Sequence, residues 1–72
     1  MTDERFISVD GKALRRLRRE RALSQQEVTR MTGVAQATLS DLEGSKRGAR
    51  ASTLRKLAQA LGVEPRVLMK EE

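Results

Sequence analysis

No cysteine, histidine, tryptophan or tyrosine occurs among the 72 residues, and proline and phenylalanine occur once each. Without cysteine there is no disulfide staple, and without cysteine or histidine the usual structural zinc cage is also missing. The same two absences remove the common general base, the thiol nucleophile and most metal ligands, which argues against an enzyme and against any metal or cofactor. The 44–48 segment, GSKRG, carries glycines but lacks the strand–loop–helix setting of a phosphate-binding loop. With one aromatic, Phe6, the core has to be aliphatic, and single strands of RNA would lack the set of rings they stack on.

Long apolar runs are also missing. No stretch approaches the roughly 18 residues of a membrane span, and the N-terminus leads into no apolar signal core. A membrane-surface role for the basic first helix lacks the expected Trp or Phe. The expected setting is the cytoplasm, in association with the nucleoid. Met1 at the start and the Lys70-Glu71-Glu72 end suggest a whole chain.

What is present is charge of one sign. Fifteen Lys and Arg oppose ten Asp and Glu, a formal net charge of +5. Six of the basic residues fall between Lys12 and Arg21 and five between Lys46 and Lys56. Clusters of this kind are the electrostatic footprint of a nucleic-acid binder, although a solvated helix face has the same look.

The chain reads as one all-α domain: an N-terminal arm over 1–9, a helical core over 10–68 and a tail over 69–72. Residues 6–9, Phe-Ile-Ser-Val, are β-prone but too brief for a sheet of their own. Asp10 is placed to cap a first helix reaching about Arg21, with Ala13, Leu14 and Leu17 as its apolar stripe. Ser24 with Glu27 forms a capping box that opens a second helix through Thr32, with Val28 and Met31 at helical spacing. Gly33 suits a left-handed helix end. A third helix runs over 36–43 with Leu39 and Leu42 inward, and Gly44 stops it. A basic loop follows, then a fourth helix over 53–61 capped by Ser52, with Leu54, Leu57, Ala58 and Leu61 inward and Gly62 at its end. Pro65 suits the first turn of a short fifth helix containing Val67 and Leu68.

The window 25–44 is the informative one. Two short helices meeting at a sharp turn need inward apolar residues, a small residue at their crossing and glycine at the bend. Val28, Val34, Leu39 and Leu42 supply the first, Thr29 the second and Gly33 the third.

With the strings LRRLRRERALSQQEV, TGVAQATLSDLEG and STLRKLAQALGVEP, the chain resembles the lambda-repressor-like family of Cro and cI type, also called XRE, over Leu14 to Leu68. The resemblance implies a compact five-helix helix-turn-helix domain acting as a double-stranded-DNA-binding transcriptional regulator, most simply a repressor. It implies that the third helix lies in the major groove, with Gln36, Ala37, Ser40 and Asp41 toward base edges. By the same resemblance Gln25, Thr38, Lys46, Arg47 and Arg50 are phosphate contacts, and Arg18 pairs with Glu43. Arg15, Arg16 and Arg19 are as well read as a solvated face. Three departures stand out: Ala35 where the family usually has a capping Ser or Thr, Thr32 at an often apolar position, and Ala51 for a common proline.

A domain this small makes limited contacts, so a homodimer on two half-sites is expected, joined through Phe6–Val9 as paired strands or through Val67-Leu68-Met69. Packing of either segment within the chain is the equal alternative. An antitoxin-like module, with a protein as its main partner, is the competing functional reading.

Overall fold

A computed structural model describes residues 6–70. Residues 1–5 of the expected arm, and Glu71 and Glu72 of the expected tail, lie outside the described residues. Four α-helices, α1 (Gly11–Glu20), α2 (Gln25–Thr32), α3 (Gln36–Glu43) and α4 (Ala51–Leu61), are followed by a single 3-10 turn, Pro65–Leu68. The expected fifth helix is therefore one tight turn. Four residues give it no room for an α-helical hydrogen-bond ladder.

The starts of α1 and α2 carry a side-chain cap; those of α3 and α4 do not, and only α4 differs from expectation. The Asp10 carboxylate accepts the Ala13 N–H at 3.1 Å and opens α1. The Ser24 hydroxyl accepts from Glu27 N–H while the Glu27 carboxylate accepts from Ser24 N–H, both at 3.0 Å, a reciprocal box that satisfies two otherwise orphan donors. At α4 the chain enters two residues earlier than the hydroxyl rule suggests: Arg50 is the cap residue, Ala51 is already helical, and Ser52 makes no capping bond. At α3 Ala35 offers no side-chain cap either. The turn before it is held instead by Thr32, whose hydroxyl donates to the Val28 carbonyl at 2.7 Å and accepts the Val34 N–H at 3.1 Å.

Helix ends are set by backbone hand. Gly33, at φ +78°, turns the chain between α2 and α3 in a conformation that costs an L residue about 1–2 kcal/mol. After α3 the left-handed residue is Ser45, at φ +57°, one beyond the Gly44 expected to break it. Ala22, at φ +54°, takes the same conformation after α1.

The core is aliphatic. Leu14, Val28, Leu39, Leu42, Leu54, Leu57, Leu61 and Leu68 are fully buried, and each such side chain contributes about 1.5–3 kcal/mol over leaving it in water. Val34, Leu17, Ala49, Ala58 and Val9 complete the cluster. Phe6 stays outside it at 58% exposure. Met31, at helical spacing from Val28, is nevertheless 54% exposed: Val28 is the one residue that α2 buries fully. Thr29 buries a hydroxyl that has no hydrogen-bond partner among the described residues.

The arm makes isolated bridges, not a sheet. Ile7 exchanges both backbone hydrogen bonds with Ala49, at 2.7 and 2.9 Å. On its other edge Asp10 N–H donates to Leu68 and Lys70 N–H donates to Ser8, around the Val9–Met69 bridge. Both edges are thus taken within the chain. This is the packing within the chain that stood as the alternative to pairing with a symmetry-related copy.

Candidate nucleic-acid interface

α3 is buried on one side and bare on the other. Leu39 and Leu42 are fully buried, while Gln36, Ala37 and Ser40 are exposed and Asp41 is half-buried. Three and four residues of spacing put the inward pair on one stripe and leave the polar residues on the opposite face. The Asp41 carbonyl also accepts from Lys46 N–H at 2.9 Å, which folds the start of the basic loop back onto the helix.

Behind α3 lies a buried ion pair. Arg18 Nε donates to Glu43 Oε2 at 2.6 Å and its Nη2 to Glu43 Oε1 at 2.9 Å, a two-pronged contact that fixes angle as well as distance. The side chains are 11% and 5% exposed. Arg18 Nη1 adds a bond to the Leu23 carbonyl at 2.8 Å, and the Gln25 amide donates to Glu43 Oε1 at 3.2 Å. The C-terminus of α3, the C-terminus of α1 and the N-terminus of α2 are thereby tied at one point. Burial pushes the Glu43 carboxyl up, but hydrogen bonds from Arg18 and Gln25 and the charges of Arg18 and Arg15 outweigh it and hold the group below the usual carboxylate range. The hydrogen bond to Glu43 raises the Arg18 pKa against the lowering effect of burial.

Close packing brings α1 to the same place. A Cβ on Gly11 would run into the backbone carbonyls of Leu42 and Glu43 and the Ser45 hydroxyl, so only glycine lets α1 start this near the end of α3. Nothing in the sequence pattern marks Gly11, because the constraint comes from Leu42, Glu43 and Ser45, distant in sequence.

Two furrows flank α3. One is lined by Arg15, Gln25, Ser40 and Lys46 around the Arg18–Glu43 pair. The other is lined by Ala35, Thr38, Arg47, Arg50, Thr53 and Lys56 with Phe6 at its edge. Of the residues implied as phosphate contacts, Gln25 and Lys46 therefore stand in the first furrow and Thr38, Arg47 and Arg50 in the second. Gln25 is shared with Glu43, and the Arg50 guanidinium lies 5.8 Å from the Phe6 ring centre, a cation–π contact. Arg15, Thr53 and Lys56 were not among the implied contacts. Only their placement beside α3 brings them in. Among the described residues no group of acidic side chains is arranged to hold a metal, and no helix is long and apolar enough to cross a membrane.

The helix-turn-helix family model HTH_3 matches residues 14–68. The uncharacterized HTH-type transcriptional regulator y4dJ of Sinorhizobium fredii is 49% identical over 53 residues, which is 74% of this chain and 69% of the relative. A second uncharacterized HTH-type transcriptional regulator, RghRB of Bacillus subtilis, is 40% identical over 64 residues; these cover 88% of this chain and 46% of the relative, so the chain spans about half its length. Among solved structures, the restriction-modification controller protein C.AhdI from Aeromonas hydrophila superposes with a TM-score of 0.77 at 34% identity, over 82% of this chain and 89% of that one. A SinR protein/SinI protein complex superposes with a TM-score of 0.79 at 27% identity, over 85% of this chain and 60% of that one. With its left-handed Gly33 between two short helices and its outward-facing α3, the chain belongs to the XRE-type, lambda-repressor-like helix-turn-helix family, whose members are DNA-binding transcriptional regulators and not enzymes.

Proposed function

We propose that the chain is a sequence-specific regulator of transcription, of the repressor kind, that lays α3 in the major groove of double-stranded DNA as a homodimer on an inverted repeat. The observation that carries this reading is the ridge of α3, polar and exposed, standing between two furrows whose rims are cationic. A major groove about 12 Å wide accepts one helix, and the phosphates on its two sides then fall to the two furrows.

In this reading Gln36 pairs bidentately with adenine, Ala37 meets a thymine methyl, Ser40 bonds a base edge and Asp41 accepts from cytosine N4. Gln25, Thr38, Lys46, Arg47 and Arg50 hold phosphates, which fix register and supply affinity without reading sequence. The whole of 1–72 serves as one domain in the cytoplasm. Half-site centres lie about 34 Å apart in a dimer of this kind, and the half-exposed Val67 and Met69 beside buried Leu68 are the surface offered for pairing.

The test is a salt titration of binding to random-sequence duplex DNA, followed by selection of the bound sequences. Log affinity should fall with log salt at about 0.9 per phosphate neutralised, and an inverted repeat should be enriched. Gln36→Ala should then relax one position of that repeat, at a cost of about 1–3 kcal/mol on the preferred base. A single enriched half-site would remove the dimer. Failure to bind duplex at low salt would remove the reading, and a protein partner would take its place.

A further inference from the structure

α1 carries more positive charge than its fold needs. Lys12, Arg15, Arg16 and Arg19 are all exposed, and they line one continuous shallow surface with Glu20. Spaced three and four residues apart, they share a face and repel one another, which weakens a helix. Lys12 also sits in the first turn, where the helix dipole disfavours a cation and where α1 has no acid. Only Arg19, in the last turn, is placed where the dipole helps.

Neutralisation within the chain is slight. Among the described residues, Arg16 reaches Glu20 at 3.8 Å with both side chains more than half exposed, and Lys12, Arg15 and Arg19 have no carboxylate within ion-pair distance. A helix that keeps mutually repelling cations on one face is arranged for an anion from outside.

The position of that face identifies the anion. Arg15 belongs both to this surface and to the furrow with Gln25, Ser40 and Lys46. The cationic track is therefore unbroken from the rim of α3 onto α1. Lys12 and Arg19 are seven residues apart, about 10 Å along the axis, a length over which duplex DNA presents several phosphates.

Building on the function proposed above, we infer that the α1 face of Lys12, Arg15, Arg16 and Arg19 is a second phosphate-binding surface, which holds the backbone of the same duplex where it flanks the stretch read by α3. Base reading then belongs to α3 and this outer contact to α1.

The test compares two variants of equal charge. In one, Lys12→Gln, Arg16→Gln and Arg19→Gln strip α1 while leaving Arg15 in the furrow. In the other, Arg30→Gln, Arg55→Gln and Arg66→Gln remove three exposed cations that line neither furrow nor α1. Glutamine is a good helix former, so the urea midpoint of the α1 variant should equal or exceed that of the wild type. On a 30-base-pair random-sequence duplex its salt slope should fall by about 0.9 for each phosphate released, up to about 2.7. Its Kd near 0.1 M salt should weaken by roughly tenfold or more, with the control variant unchanged in slope. Equal losses in the two variants would overturn the inference as a mere net-charge effect. An unchanged slope in the α1 variant would overturn it too, leaving the face to an acidic protein while wild-type binding upholds α3. Absence of wild-type binding would instead strike the function proposed above.

Discussion

Arg18 and Glu43 meet from two helices through paired hydrogen bonds of 2.6 and 2.9 Å, and a third donor, Gln25, shares the carboxylate. Charges taken this far out of water are costly unless paired, so removing one partner is worse than removing both. Arg18→Ala should lower stability by about 3–5 kcal/mol, read as a fall in urea midpoint at pH 7. Arg18→Met with Glu43→Leu should recover part of that loss. The sign of the pH dependence follows from Glu43, whose pKa is lowered in the folded state. Its contribution is fully present above the unfolded carboxylate value of about 4.3 and is lost as pH falls through the lower folded value. Urea midpoints between pH 6 and pH 2.5 should therefore fall less steeply in Glu43→Gln than in the wild type. Parallel curves would remove Glu43 from the acid response.

Gly11→Ala should destabilise the domain although alanine is the better helix former. The added Cβ meets backbone carbonyls of Leu42 and Glu43, which cannot rotate aside. Overpacking of this kind costs about 1–3 kcal/mol, against a propensity gain of about 1 kcal/mol. A lower thermal midpoint, with weaker DNA binding because α3 has been pushed, is the expected result. An unchanged midpoint would mean that α1 can slide.

Ala35→Ser should do the reverse. Ala35 occupies the N-cap of α3 with extended backbone, φ −60° and ψ 144°, and supplies no cap. A hydroxyl there can accept from the first turn, and the exchange is worth about 1 kcal/mol. A higher urea midpoint with unchanged m-value checks it. No gain would show that the Thr32 bond to Val34 already holds the turn closed.

Much of this was legible beforehand because it is local. The Ser24–Glu27 box, the left-handed Gly33 and the bounds of α2 and α3 depend on neighbours within a turn, and the leucine spacing gives the core. The pairing of Arg18 with Glu43 came only through family resemblance, since no local pattern links residues on different helices. What was misread depends on tertiary context. Ser52 has the chemistry of a cap, yet the bridge that holds Ala49 to Ile7 lets the helix begin at Ala51. Met31 keeps helical spacing with Val28, but so short a helix buries only a narrow face. Thr32 looked like a polar intrusion and is in fact the hydroxyl that spans the turn. Arg15 was indistinguishable from its neighbours until α3 was set beside it.

The threaded arm has a consequence for cooperativity. Residues 7–10 hydrogen-bond on one edge to Ala49, between Arg47 and Arg50, and on the other to Leu68 and Lys70. These closures span most of the chain, whereas helix contacts are local, so they carry the largest loop-closure entropy in the fold. The arm can seat only on an assembled helical body, and it is the first part to come free when the body loosens. When it lifts, the 44–50 loop and the C-terminal turn lose their shared tether together. Arg47 and Arg50, in the furrow beside α3, are thus linked to the seating of the arm: under the proposed function, an opening that frees the arm also loosens two of the phosphate contacts.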